Sequence, residues 1–173
     1  MWLKDESYNL RGTHKDRMAW EIVVTYRDIL LAKKQQTLAQ DLPSMSIISS
    51  GSAAVAIQTQ LKKYHLPRLK VLVDSNMSSV IINQMQALGC EIYITDLSQK
   101  MLKWQEILTL TDNVHGIDIT SSEALNPSTR FYDWLSYEII NTSPDYCFVP
   151  FGGGNLFENI LNINKKRSLV FGS

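Results

Sequence analysis

The chain has 173 residues, 45% hydrophobic and 20% charged, which suits one globular domain or two small lobes around a sizeable core. Seventeen basic and seventeen acidic residues cancel, so the charge footprint that a nucleic acid or an anionic membrane surface would need is missing. No apolar run is long enough to span a bilayer and Met1 to Glu6 does not read as a signal peptide, so the expected compartment is the cytoplasm.

Trp2-Leu3-Lys4 reads as the tail of a short strand that ends in Asp5-Glu6. From Lys15 to about Lys34, Met18, Ile22, Val23, Tyr26, Ile29 and Leu30 recur at three and four residues, the period of an amphipathic helix; Leu42-Pro43-Ser44 breaks it. Met45 to Ile48 is a short strand running into Ser49-Ser50-Gly51-Ser52-Ala53-Ala54, and a helix follows to about Tyr64. Leu69 to Val73 is β-branched and reads as a buried parallel strand. Ser78 to Leu88 is helical and stopped by Gly89, and Glu91 to Thr95 is the next strand. Ser98 to Leu110 is predicted helical and Val114 to Ile119 a weaker strand. Asn126-Pro127-Ser128 opens a helix through Phe131, Trp134, Leu135, Tyr137, Ile139 and Ile140, ending at Ser143-Pro144. Tyr146 to Pro150 is predicted as a strand, followed by Phe151-Gly152-Gly153-Gly154-Asn155, a helical run from Leu156, and one more strand at Ser168 to Phe171.

This alternation predicts an α/β fold with a mainly parallel sheet and right-handed crossovers. Sites in such folds lie at the carboxyl ends of strands, where loops feed helix N-termini. Cys90 and Cys147 sit beside strand-like segments without CxxC spacing and are expected to be buried free thiols. His14, His65 and His115 are scattered, and no metal is expected.

Three turns carry the chemistry. Gly12 permits a tight turn and Thr13 suits an N-cap, which places Lys15 at the start of a helix; an amine there can form a Schiff base with an aldehyde cofactor if it is partly desolvated. Gly152-Gly153-Gly154-Asn155 follows a strand and opens a helix, so converging N–H groups and the helix dipole favour a phosphate; the plainer reading is a flexible turn. The pattern is neither GxGxxG nor a Walker loop, which argues against a dinucleotide or a nucleoside triphosphate. Ser49-Ser50-Gly51-Ser52 has the same setting and suits a carboxylate, although N-capping by serine alone accounts for it as well. A lysine, a carboxylate cradle and a phosphate cradle together describe a site for pyridoxal phosphate and an amino acid.

The motifs resemble those of the fold-type II pyridoxal-phosphate enzymes: threonine synthase, cysteine synthase, threonine dehydratase and the tryptophan synthase β chain. Lys4-Asp5-Glu6 and Gly12-Thr13-His14-Lys15-Asp16-Arg17 are similar to the segment K-D/L-E, N-P-T-G-S-x-K-D-R. Ser49-Ser50-Gly51-Ser52-Ala53 resembles the substrate-carboxylate loop, and Met85 to Ile92 the helix-to-strand M-x-x-x-G-A-E-V. Tyr137-Glu138-Ile139 and Val149 to Asn155 resemble the Y-E-I helix and the phosphate loop. The resemblance implies a catalytic Schiff-base lysine at Lys15 and cofactor contacts from Lys15, Ser52, Gly152, Gly153, Gly154 and Asn155. It further implies substrate contacts from Ser49, Ser50, Gly51 and Ala53. The K-D-E opening leans towards threonine synthase, with elimination or replacement at Cβ or Cγ of a hydroxyl- or phospho-amino acid; cysteine synthase and threonine or serine dehydratase are the alternatives. A non-catalytic remnant that binds a partner is the reading of another class.

Three departures shape the remaining expectations. Ser52 stands where the family has an asparagine that contacts the cofactor ring hydroxyl, and Leu10-Arg11 replaces Pro-Thr. The chain reads as a truncated member, incomplete at both ends, with residues 45–119 as a small lobe and 1–44 with 120–173 as a partial large lobe. A homo-oligomer or a complementing second chain is therefore expected, and the partners otherwise are a small amino-acid substrate, with no nucleic acid and no membrane. Lys15, Ser50 and Gly153 are expected to open on one cleft. An open, wet site would leave Lys15 hydrated, with a pKa near the ordinary lysine value of about 10.4 and weak cofactor binding.

Overall fold

The computed structural model describes residues 3–35, 42–120 and 130–171, with side chains to residue 165. Strands β1 (Met45–Ile48), β2 (Lys70–Asp74), β3 (Glu91–Thr95) and β4 (Ile117–Asp118) pair in parallel in the order β3-β2-β1-β4. Parallel neighbours need a crossover, and helices supply it: α2 (Ser52–Lys63) joins β1 to β2, α3 (Ser79–Leu88) joins β2 to β3, and α4 (Trp104–Leu110) precedes β4. Around this unit lie α1 (Lys15–Lys34), α5 (Asp133–Ile140) and α6 (Asn155–Phe171). The α/β expectation with a parallel sheet holds.

β-branched runs place the core where predicted. Val71, Leu72 and Val73 are buried in β2, as expected for an inner parallel strand covered on both faces. Helix α2 turns Ala54, Ile57 and Leu61 inward, its alanines letting α1 approach closely through Met18, Ala19, Ile22, Val23 and Tyr26. The apolar stripe of α1 is narrower than its sequence suggested, since Leu30 is 43% exposed. Gly89 ends α3 in the left-handed conformation at φ +104°, the terminator expected of it. One cluster of buried side chains runs from Met18 through the sheet to Ile163 on α6.

Several expected elements differ. Helix α4 starts at Trp104 rather than Ser98, because Asp96 holds the Ser98 amide at 2.9 Å and Ser98 Oγ in a local turn that competes with the helix. Strand β4 shrinks to two residues, Gly116 closing a turn on Asn113 O at 2.8 Å just before it. Leu3 and Lys4 form no strand, whereas Trp2 lies outside the described residues. Tyr146–Pro150 is not a strand either: no described strand lies alongside to accept its hydrogen bonds, and Tyr146 and Phe148 are 85% and 92% exposed. Cys147 is consequently an exposed thiol, while Cys90 is buried and its thiol pushed up to about 12 by desolvation. Residues 168–171 continue α6 instead of forming a strand, in a helix whose earlier turns bury Leu156, Ile160 and Ile163 at i, i+4 and i+7. The expected helix start at Asn126-Pro127-Ser128 falls outside the described residues. Among the described residues no helix is long and apolar enough to cross a membrane.

Candidate active site

The loop before α1 is built by its own polar groups. Gly12, at φ +73°, closes a turn by donating to Asn9 O at 2.8 Å. Buried Asp16 reaches back from the first turn of α1, its Oδ2 accepting the amides of Arg11 at 2.9 Å and Thr13 at 3.4 Å. The N-cap is His14, one residue later than expected, yet the Thr13 hydroxyl still accepts the Lys15 amide at 3.2 Å. Upstream, Glu6 receives Lys4 at 2.8 Å and Arg17 Nε at 2.9 Å, and Arg17 spans Glu138 on α5 with two bonds of 3.0 and 3.1 Å. Burial pushes the Glu6 carboxyl up, but hydrogen bonds from Arg17, Lys4 and Asn9 outweigh it and hold it down at about 2.

Lys15 is half-buried, and its Nζ donates to the hydroxyl of Tyr132 at 3.2 Å. Tyr132 is 1% exposed and gives its own proton to Met18 Sδ at 3.6 Å. Desolvation lowers the Lys15 pKa from its ordinary value. The expectation of a hydrated lysine with an unshifted pKa is thus overturned: Tyr132 and the start of α1 shelter the amine.

Strand β1 delivers the serine turn. Gly51 has φ +128°, and a Cβ there would stand 2.9 Å from Ile81 Cγ2 on α3, so the fold itself requires glycine. The Ser49 hydroxyl accepts the amides of Gly51 at 3.1 Å and Ala54 at 3.3 Å, which makes it a local cap. The amides of Ser52 and Ala53 have no acceptor among the described residues and remain the free donors of this helix start. Ser50 and Ser52 are exposed.

The glycine run enters α6. Gly154 takes φ +81°, and its carbonyl accepts the Glu158 amide at 2.9 Å, the first bond of the helix. A Cβ on Gly152 would meet nothing within 4 Å, and one on Gly153 only Asn155 Oδ1 at 4.0 Å. Among the described residues nothing therefore demands glycine at either position, and their backbone lies at the positive end of α6. Asn155 Nδ2 donates to Thr120 O at 3.4 Å, and among the described residues its buried Oδ1 has no partner.

Thr120, just past β4, ties two of the turns together. Its hydroxyl accepts the amide of Ile48, at the end of β1, at 2.7 Å, and its carbonyl accepts Asn155. The serine turn and the glycine run thus share the carboxyl ends of adjacent strands. Among the described residues Lys15 is linked to the glycine run only indirectly, through its contact with Tyr132. Tyr132 directly precedes α5, where Asp133 accepts Asn159 Nδ2 at 2.7 Å and Ser136 also bonds Asn159, one turn along α6 from Asn155. Among the described residues no hydrogen bond runs from Lys15 to Ser49–Ala53 or to Gly152–Asn155. A cavity of about 250 Å³ lies elsewhere, between Arg17, Trp20 and Glu21 on α1 and Trp134, Leu135 and Glu138 on α5. Tyr132 and Thr120 were not singled out in the sequence. Thr120 was detectable as the polar residue at a strand's carboxyl end, whereas Tyr132 carried no local signal.

The family model described as pyridoxal-phosphate dependent enzyme matches residues 1–166. No curated protein matches the chain. Among solved structures, a hydrogen sulfide-producing enzyme from Fusobacterium nucleatum is 20% identical, with a TM-score of 0.58 over 95% of this chain and 50% of that one. Cysteine synthase from Entamoeba histolytica is 18% identical, with a TM-score of 0.59 over 94% of this chain and 47% of that one. An O-acetylserine dependent cystathionine β-synthase from Helicobacter pylori is 18% identical, with a TM-score of 0.61 over 94% of this chain and 53% of that one. At these identities the likeness is one of fold, and the chain spans about half the length of the structures it matches.

Proposed function

The chain belongs to the pyridoxal-phosphate dependent enzyme family, and from that premise we propose that it holds the cofactor through Lys15 and Gly152–Asn155 and acts on an amino acid bound by its carboxylate at Ser49–Ala53. The reaction proposed is elimination or replacement at Cβ of a serine bearing a leaving group, as the names of the neighbouring cysteine synthase and O-acetylserine dependent enzyme suggest for those proteins. The observation that carries the reading is Thr120, which couples the serine turn and the glycine run at the ends of β1 and β4. The backbone of Gly152 and Gly153 suits a phosphate, because among the described residues neither amide has a backbone acceptor and a Cβ on Gly152 would meet nothing within 4 Å. In this reading residues 45–119 form the small lobe, with 1–44 and 120–173 contributing to the other.

Pyridoxal phosphate, when bound, draws electron density from the amino acid's Cα. The rest falls to this chain. The free amides of Ser52 and Ala53, at the start of α2, orient the substrate carboxylate. Ser52 offers a hydroxyl towards the cofactor ring, shorter than the asparagine of the resembling enzymes. Lys15, with its lowered pKa, reaches the neutral form at a lower pH than an exposed lysine and takes the proton from Cα. Titration with the cofactor tests this: a visible band should grow in the parent and vanish in Lys15→Ala. A folded parent with no band would leave the non-catalytic binding reading.

A threonine synthase-like specificity has one observation behind it, the Lys4-Asp5-Glu6 opening, whose Lys4 and Glu6 anchor the network that fixes Arg17 beside Lys15. Turnover of O-acetylserine with sulfide, compared with a phosphorylated hydroxy-amino acid, separates the two specificities.

A further inference from the structure

We infer that Tyr132 is a positioning residue for the Lys15 amine, and that Met18 sets the direction of their contact so that the amine keeps its lone pair. The inference rests on the proposed role of Lys15 and adds how that amine is made reactive.

A tyrosine hydroxyl has one proton to give. A thioether sulfur can only accept, and Met18 Sδ lies 3.6 Å from Tyr132 Oη. With the proton turned there, Oη presents a lone pair to Lys15 Nζ at 3.2 Å, and the nitrogen must donate. A neutral amine that donates one N–H keeps its own lone pair free. That pair is what forms the N–C bond with an aldehyde, both amine protons leaving with the carbonyl oxygen as water. Were the hydroxyl to donate instead, it would occupy the pair and mask the nucleophile.

The arrangement is rigid. Tyr132 is buried, its ring is 5.8 Å from the ring of His14, and Met18 belongs to the core cluster. The groups facing the contact are His14 and Met18 from α1 and Tyr132 from the segment before α5; no carboxylate pairs with Nζ among the described residues. Neighbouring Asp16 directs Oδ2 to the amides of Arg11 and Thr13. The hydroxyl thus orients Lys15 without neutralising it as a carboxylate would.

The test uses the cofactor-free protein carrying lysine labelled with ¹³C at Cε, with Lys15→Met to assign the signal. Tyr132→Phe removes the acceptor from the ammonium, so the Lys15 titration midpoint should fall below the parent's. The plateau rate of borohydride-trapped modification by pyridoxal phosphate, read above each midpoint, should fall about tenfold as the amine loses its orientation. Met18→Leu keeps the core volume but frees the hydroxyl proton to turn onto the amine. Its midpoint should also fall and its plateau rate drop, and it serves as the readout if Tyr132→Phe does not fold. A merely structural role would lower stability and leave the Lys15 signal untouched. Folded variants with the parent's midpoint and rate overturn the inference. A parent that is not trapped at Lys15 overturns the cofactor reading instead, while the titration midpoints still decide the Tyr132 contact.

Discussion

Two glycines that lie just ahead of helices sit in different surroundings. Gly51 is held at φ +128° with Ile81 pressing on it, so Gly51→Ala should cost about 2 kcal/mol of stability in urea denaturation. A Cβ on Gly152 would meet none of the described residues within 4 Å. Gly152→Ala should therefore change stability by less than about 0.5 kcal/mol, yet weaken cofactor binding in the absorbance titration by crowding the phosphate. Equal losses of stability in the two variants would mean that Gly152 is structural. Glu6 makes the third residue-scale case. Its folded pKa of about 2 lies below the ordinary 4.5, so its stabilising contribution is fully present above about pH 4.5 and is lost as pH falls towards 2. Glu6→Gln should flatten that acid limb and lower neutral-pH stability by about 1–2 kcal/mol, discounted for the solvent that reaches its partners.

Among elements, the α5–α6 pair is fastened by polar atoms as much as by Leu135, Ile139, Leu156 and Ile160. Buried Ser136 and Asn159 bond each other, and Asn159 also reaches Asp133. Asn159→Ala leaves buried groups short of a partner and should cost about 2 kcal/mol by thermal or urea unfolding. Because Tyr132 directly precedes α5, the same variant should also shift the Lys15 titration. A variant that is destabilised but has an unmoved Lys15 signal would separate the helix pair from the amine. The 146–150 segment contrasts with it. Val149 packs partly on the core, but Tyr146 and Phe148 face solvent, and no described strand lies alongside to take a strand's hydrogen bonds.

For the molecule as a whole, that exposed aromatic surface has a consequence. Tyr146, Phe148 and Phe151 lie exposed within six residues, with Phe157 and Leu161 on the outer face of α6. A cluster of this kind favours association, and light scattering should show self-association that rises with concentration and falls in Phe148→Ser/Phe151→Ser. Stability should be little changed in that variant, because neither ring is buried. A monomer at all concentrations would show that this surface is tolerated in water.

Local rules were enough to find most of this fold. Strands β1 and β3, helix α1 and the Gly89 stop are each specified by side-chain period and backbone preference within a few residues, and those signals need no distant partner. The lysine, serine and glycine turns were legible for the same reason, since a glycine or hydroxyl before a helical run advertises a helix start. What the sequence could not decide were matters of neighbours. Whether 146–150 is a strand depends on a pairing partner, and whether Lys15 is wet depends on Tyr132, 117 residues away. The direction of that hydrogen bond depends in turn on Met18, which in the sequence is only one more apolar position on a helix. Pairing, desolvation and hydrogen-bond direction are properties of atoms brought together by the chain's tertiary course, and only the tertiary structure set them.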